Sequence, residues 1–232
     1  MLSVDNVHVA YGQSSVVNGL SLKIDRKQKV CLMGRNGVGK TTLLKSIMGI
    51  LPTRKGTITF EQSNITKQKT FKRSRMGLAY VPQGRDIIPM LTVLENIELG
   101  SMAHYHKEKQ QLVEEMLEYF PALKEHLHRK GGVLSGGQQQ QLAIARALMS
   151  KPKVLFLDEP SEGIQPNVVA EIATILNRVH EEKELSILIV EQNLDFAFKI
   201  ANQFYIMEKG EVVKEGAADK LSKDEIKGYL TI

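Results

Sequence analysis

Residues 34–41 read Gly34-Arg35-Asn36-Gly37-Val38-Gly39-Lys40-Thr41, the spacing of G-x-x-x-x-G-K-[ST]. The residue types suit one chemistry. Glycines at 34, 37 and 39 let the backbone turn and aim its N–H groups inward, where a side chain would block a phosphate. Lys40 adds a full charge for the β- and γ-phosphates, and the Thr41 hydroxyl is placed to ligate magnesium. The pattern carries weight only between a strand and a helix. Both are expected: Lys29–Met33 is a short apolar run that stops at glycine, and Thr41–Ile50 has helical spacing ending near Gly49. The helix start adds partial positive charge.

A second group of residues extends this chemistry. The apolar run Val154-Leu155-Phe156-Leu157 ends at Asp158-Glu159-Pro160. Two acids at the carboxyl end of a buried parallel strand lie where ligands bind in such sheets. Asp158 suits the magnesium shell, directly or through a water. Glu159 is the candidate base that orients or polarises an attacking water. Leu134-Ser135-Gly136-Gly137-Gln138 opens a helix, and Ser135 with Gln138 has capping-box spacing. Such a start is a second phosphate-binding device, although capping alone would account for it.

The elements that position these groups follow from hydropathy. Val7–Val9 and Leu20–Ile24 alternate as half-buried strands do, and Thr57–Phe60 is a further strand. From about Leu91 to Met149 the pattern is mostly helical. Val154–Leu157 and Ile187–Val190 are unalternated apolar strands with a helical stretch, Val168–Glu182, between them. Strand, helix, strand of this kind argues for a buried parallel sheet covered by helices. The expectation is one α/β domain over residues 1–232 with a helical insertion, roughly 86–150.

Composition excludes other classes. A chain of 232 residues with 42% hydrophobic and 25% charged residues is ordinary for a globular protein. Cys31 is the only cysteine, so no disulfide framework or cysteine zinc cluster is expected. No window approaches the roughly 18 consecutive apolar residues of a membrane span, and Met1–Asn6 lacks the basic-then-apolar pattern of a signal peptide. The formal charge of +5 is too mild to argue for nucleic acid.

Taken together, the phosphate loop, Asp158-Glu159 and above all Leu134-Ser135-Gly136-Gly137-Gln138 resemble the ATP-binding subunit of ABC (ATP-binding cassette) transporters, over essentially the whole chain. The resemblance implies a P-loop NTPase cassette, with a mainly parallel sheet, an N-terminal antiparallel β subdomain and a helical insertion. It implies ATP and Mg2+ as ligands and ATP hydrolysis as the activity. It adds Thr42 to the residues on ATP, Tyr11 as the aromatic stacked on adenine, and Gln83 as the glutamine joining magnesium and water to the membrane-subunit contact. It makes Ser135, Gly136, Gly137 and Gln138 act on the ATP of a second ATP-binding subunit, identical or different, in a head-to-tail pair. It further implies transmembrane permease subunits, an external substrate-binding protein, no nucleic acid, and a place on the cytoplasmic face of the inner membrane.

Two positions depart from the family's commonest pattern. Gln192, after the strand at 187–190, stands where most members have histidine, and Gln165 stands where an aspartate is usual. An amide can donate to a γ-phosphate but cannot carry a proton near neutral pH. The proton chemistry then falls to Glu159, with Gln192 as a γ-phosphate sensor. Glu191-Gln192 resembles the cassettes that serve amino-acid and amide uptake. Residues 135–141, 162–166, 193–197 and 229–232 look closest to the urea-uptake subunit, with branched-chain amino-acid import as the alternative. A soluble cassette acting on ribosomes or DNA is the reading from another class; its usual second cassette or long coiled-coil insertion is not present in this sequence.

Weaker signals are read plainly. Lys67, Lys69, Lys72, Arg73 and Arg75 read as a solvated helix face. His104, His106, His126 and His128 read as surface residues, and Cys31 as a buried core thiol. Gly84–Leu99 reads as a packing segment, which in the family also grips a short helix of the membrane subunit.

Overall fold

A computed structural model describes residues 1–102 and 108–230; His104, His106, Thr231 and Ile232 lie outside the described residues. The chain starts with strands β1 (Leu2–Tyr11), β2 (Ser14–Ile24) and β3 (Lys29–Gly34), helix α1 (Lys40–Ile47), and strands β4 (Lys55–Phe60) and β5 (Ser63–Asn64). Helix α2 (Thr70–Arg75) and strand β6 (Leu78–Val81) follow. Helices α3 (Val93–Leu99), α4 (Lys109–Tyr119), α5 (Pro121–Lys124) and α6 (Gly136–Leu148) come next. The last part alternates β7 (Val154–Asp158), α7 (Pro166–Lys183), β8 (Ser186–Glu191), α8 (Leu194–Ile200), β9 (Gln203–Glu208), β10 (Glu211–Ala217) and α9 (Lys223–Leu230).

Two sheets result. The first is antiparallel, in the order β2-β1-β4-β5. Its alternation is broken once: Leu2, Val4, Val7 and Val9 all point inward because the register shifts between Val4 and Val7, where Asn6 takes φ 47°. The second sheet runs β10-β9-β3-β8-β7-β6, parallel except for β10. Its central strands are buried on both faces, which is why they read as unbroken apolar runs. Alternate residues feed two separate cores. Cys31, Leu155, Leu157, Ile187 and Ile189 pack against the helices α4, α6, α7 and α8. Val30, Leu32, Phe156, Leu188 and Val190 pack against α1 and the first sheet. Burying about 150–250 Å² per aromatic side chain makes such layers the main driving force.

The expected strands and helices are present, but the strand expected at 7–9 runs over Leu2–Tyr11 and that expected at 20–24 over Ser14–Ile24, with smaller shifts elsewhere. The phosphate-loop helix starts at Lys40 and stops at Ile47, and the helical stretch expected at 168–182 runs from Pro166 to Lys183. Ser135 and Gln138 form the expected capping box, with Gln138 N–H on Ser135 Oγ at 3.3 Å and Ser135 N–H on Gln138 Oε1 at 3.0 Å. Strands β6, β9 and β10 were not anticipated. β9 and β10 are joined by Lys209-Gly210, both with positive φ, the conformation of a tight hairpin turn. Among the described residues no helix is long and apolar enough to cross a membrane.

Two surface expectations are corrected. Arg73 is not on a solvated face: it is 2% exposed and its guanidinium donates to Ser46 O (2.8 Å), Ile47 O (2.6 Å), Gln68 O (2.9 Å) and Thr66 O (2.8 Å). Two of these carbonyls belong to the last turn of α1, whose C-terminal negative end attracts a cation. Lys67, Lys69, Lys72 and Arg75 are exposed, as expected. His128 is exposed, but His126 is half-buried and its buried Nδ1 has no hydrogen-bond partner among the described residues. Replacing Arg73 by Ala strands four carbonyls and unties the end of the helix that carries Lys40. The expected loss is about 3 kcal/mol, from several charge-assisted bonds removed at once. A urea melt of Arg73→Ala with an unchanged midpoint would refute this anchoring.

Candidate functional site

Four parallel strands present their carboxyl ends to one place. β3 delivers the glycine-rich loop, β7 delivers Asp158 and Glu159, β8 delivers Glu191 and Gln192, and β6 leads through Pro82 to Gln83. In the loop, Gly39 takes φ 110° at the helix N-cap, and a Cβ there would lie 3.0 Å from Val16 O on β2. Only glycine meets both conditions. Arg35, Asn36, Gly37 and Val38 form the partly open rim, and Thr42, the third residue of the helix, is buried.

Lys40 lies at the centre and is 4% exposed. Its Nζ donates to Gly34 O at 2.8 Å and Arg35 O at 3.0 Å, and stands 3.4 Å from Glu159 Oε1. Thr41 Oγ1 donates to Asp158 Oδ1 at 3.1 Å, and Tyr80 OH to Asp158 Oδ2 at 3.0 Å. Asp158 is 1% exposed, and burial holds its carboxyl above the usual range, although both hydroxyls pull it down. The Tyr80 phenol is pushed far up, chiefly by burial and then by Asp158; Tyr11 is close enough to contribute. It therefore stays a neutral donor. Sequence reasoning passed over Tyr80, because nothing local marks a tyrosine whose partner is 78 positions away.

Glu159 gathers the remaining groups. Its backbone sits at φ 48°, unusual for a glutamate, and its N–H donates to Val190 O at 2.9 Å. Its Oε1 accepts from Gln192 Nε2 at 2.8 Å, and its Oε2 from Gln83 Nε2 at 3.4 Å. The Gln192 amide also reaches Asn36 Oδ1 at 2.6 Å, so it spans the carboxylate and the phosphate loop. Gln83 Nε2 is nearer to Glu162 Oε2, at 2.9 Å, than to Glu159. The structure thus brings Gly34 to Thr42, Gln83, Asp158, Glu159 and Gln192 into one cluster. Tyr11 stands at the end of β1, 48% exposed.

Ser135 to Gln138 lie elsewhere. Among the described residues, no hydrogen bond or ion pair joins them to residues 34–42. Gly137 packs against α7 so closely that a Cβ would meet Val168 Cγ1 at 2.6 Å, and the Arg85 guanidinium lies under Gly136. Ser135 itself is exposed at the start of α6. Gln165, at the N-cap of α7, makes no side-chain cap bond among the described residues.

Known proteins resemble this chain in sequence and fold. The family profile described as ABC transporter matches residues 17–162. BraG of Pseudomonas aeruginosa, a high-affinity branched-chain amino acid transport ATP-binding protein, is 38% identical over 213 residues, covering 92% of this chain and 91% of its own. LivF of Archaeoglobus fulgidus, a probable branched-chain amino acid transport ATP-binding protein, is 32% identical, covering 97% and 95%. The crystal structure of a nucleotide-free ATP-binding cassette superposes with a TM-score of 0.82 at 28% identity, over 99% of this chain and 94% of the other. A dimeric cassette in a post-hydrolysis state with ADP and phosphate gives 0.85 at 25% identity, over 94% and 99%. With its phosphate loop, acidic strand end and serine-glycine helix start in the matching fold, the chain belongs to the ABC transporter family as an ATP-binding, ATP-hydrolysing cassette.

Proposed function

We propose that this cassette energises an importer of amino acids or small amides. It would do so at the cytoplasmic face of the membrane, on permease subunits fed by an external binding protein. The observation that carries the hydrolytic part is the convergence of Lys40, Gln83 and Gln192 on the Glu159 carboxylate. In this reading the loop N–H groups and Lys40 hold the β- and γ-phosphates. Two of the three Lys40 donors are fixed on loop carbonyls, so the third, facing Glu159, is the one a γ-phosphate takes. Tyr11 stacks on adenine, and Thr42 and the rim residues close around the phosphates.

The donors beside Lys40 suit magnesium. Thr41 Oγ1 and Asp158 would be adjacent oxygen ligands, and Gln83, whose Nε2 here donates to Glu162, would offer its amide oxygen from the segment after β6. Among the described residues no cluster of three His, Cys, Asp or Glu could hold a metal alone. That fits an ion completed by water and phosphate oxygens, as magnesium prefers. Magnesium would neutralise charge developing on the phosphates. Glu159 accepts the proton of the attacking water, and Gln192 Nε2 reports the γ-phosphate through its two bonds.

Among the described residues no hydrogen bond or ion pair joins Ser135 or Gly137 to their own phosphate loop. They serve the ATP of a second cassette, and the other cassette returns the service. ATP is then a glue between subunits that hydrolysis dissolves, the kind of population shift that drives a partner. The relatives named for branched-chain amino acids favour that class of substrate. Urea is the second reading, and it rests on residues 135–141, 162–166 and 193–197. Purification with native partners tests the whole proposal: membrane subunits should co-purify, and loss of the chain should abolish uptake of labelled leucine or labelled urea. Recovery of ribosomes or DNA in place of membrane subunits would overturn it.

Two variants test the site. Glu159→Gln should bind ATP as before and lose about 10²–10³ of turnover, the usual cost of removing a general base; near-normal hydrolysis would remove Glu159 from that role. Lys40→Ala, run beside it, should show no binding in a fluorescent ATP titration. Gln192→His should remain active, since an imidazole N–H also donates to a γ-phosphate. Its turnover should gain a pH dependence near 6.5, where an unperturbed imidazole titrates, and a dead enzyme would show that the slot demands an amide.

A further inference from the structure

Glu191 has no role in the chemistry above, yet it is a carboxylate 2% exposed at the end of β8. The preceding residues of the strand, Ile187 to Val190, are all apolar. Burying a charge there costs several kcal/mol unless it is well bonded. It is well bonded. Oε1 accepts the Ser161 N–H at 2.9 Å, and Oε2 accepts the N–H groups of Gln192 at 3.0 Å and Asn193 at 3.1 Å.

These donors lie on two loops. One runs from Glu159 toward Gln165; the other carries Gln192. Two further bonds join the loops, Glu159 N–H to Val190 O and Gln192 Nε2 to Glu159 Oε1. Both involve Glu159, which lies before Pro160. Among the described residues, the Glu191 side chain is the link that grips the far side of Pro160, at Ser161, and the backbone of Gln192 together. An apolar residue would fill the same space but would leave three N–H groups unbonded.

We infer that Glu191 is a positioning residue that ties the Ser161–Gln165 segment to Gln192, so that the two loops move as one unit. A shift of that segment against a second subunit then reaches the Gln192 amide, and a loosened Gln192 loosens the segment. This rests on the proposed role of Gln192, and the experiment separates the two.

Glu191→Gln keeps the volume but turns an acceptor into an NH2 group that must face an N–H. In the full chain, affinity for fluorescent ATP should stay within about twofold, while turnover per bound nucleotide falls about tenfold or more. Hydrogen exchange at the amides of Ser161, Gln192 and Asn193 should quicken about tenfold or more, with β7 and β8 unchanged. A merely structural loss would instead lower binding and strand protection together, and that result would overturn the inference. Gln192→Ala is measured in parallel. If it loses turnover while Glu191→Gln keeps it, the Glu191 inference falls alone; if Gln192→Ala itself keeps full turnover, the Gln192 reading falls. The double variant should be no slower than the slower single variant, and multiplied losses would refute the coupling. Should Glu191→Gln fail to fold, the unaltered chain still decides: free-loop exchange rates at Ser161, Gln192 and Asn193 would refute the tether.

Discussion

The buried contact between Lys40 and Glu159 is the constraint around which the rest of the site is arranged. The two side chains are 3% and 8% exposed and 3.4 Å apart. A pair this far from water is costly unless each member keeps further hydrogen bonds. Lys40 finds them on the carbonyls of Gly34 and Arg35, which forces the loop to curl back over its own lysine. Glu159 finds them on Gln192 and Gln83, which draws in the ends of β8 and the segment after β6. One ion pair thus requires four strand ends to meet, and a parallel sheet is the architecture that brings strand ends of the same sense to one edge.

The sheet also separates two mechanical jobs. Residues on one face of the central strands pack under α1 and the antiparallel sheet, so the phosphate loop is backed by a rigid layer. Residues on the other face pack against the helices between β6 and β7 and those flanking β8. The serine-glycine helix start belongs to this second layer. The two candidate phosphate sites therefore hang from opposite faces of the same strands. Among the described residues no hydrogen bond or ion pair joins the two, and the proposed mechanism accordingly brings in a second cassette. Arg73 serves the first layer by holding the far end of α1, so the helix that begins at Lys40 is anchored at both ends.

How much of this could be read from the sequence depended on distance along the chain. The phosphate loop was legible because its function needs consecutive residues, and Asp158-Glu159 because an apolar strand ended on them. The Ser135 cap was legible because its partner is three residues on. Contacts of Asp158 with Tyr80, of Gln192 with Asn36, and of Glu191 with Ser161 were not, since their partners are 78, 156 and 30 positions apart. Arg73 misled because charge spacing on a short helix does not say which residue turns inward. The run Gln138–Gln141 looked uniform yet does several jobs: Gln138 caps, Gln139 accepts from Arg85, and Gln140 and Gln141 are buried.

The amide at position 192 gives the site a particular proton logic. An imidazole at this position would have its own titration near neutral pH and could share the proton of the attacking water. The amide has fixed donors at any pH, and both of its bonds here, to Glu159 and Asn36, run from one nitrogen. Gln192 can therefore orient and report but not take a proton. Lys40 acts as a donor with two bonds on carbonyls, Asp158 accepts hydrogen bonds from two hydroxyls, and Gln83 is another amide. Of the two carboxylates beside the phosphate loop, Asp158 is taken up by the hydroxyls of Thr41 and Tyr80, while Glu159 faces the Lys40 ammonium and the Gln192 amide. In the proposed mechanism the departure from histidine thus narrows the chemistry: it leaves the proton of the attacking water to Glu159, whose oxygens accept from Gln192 and Gln83.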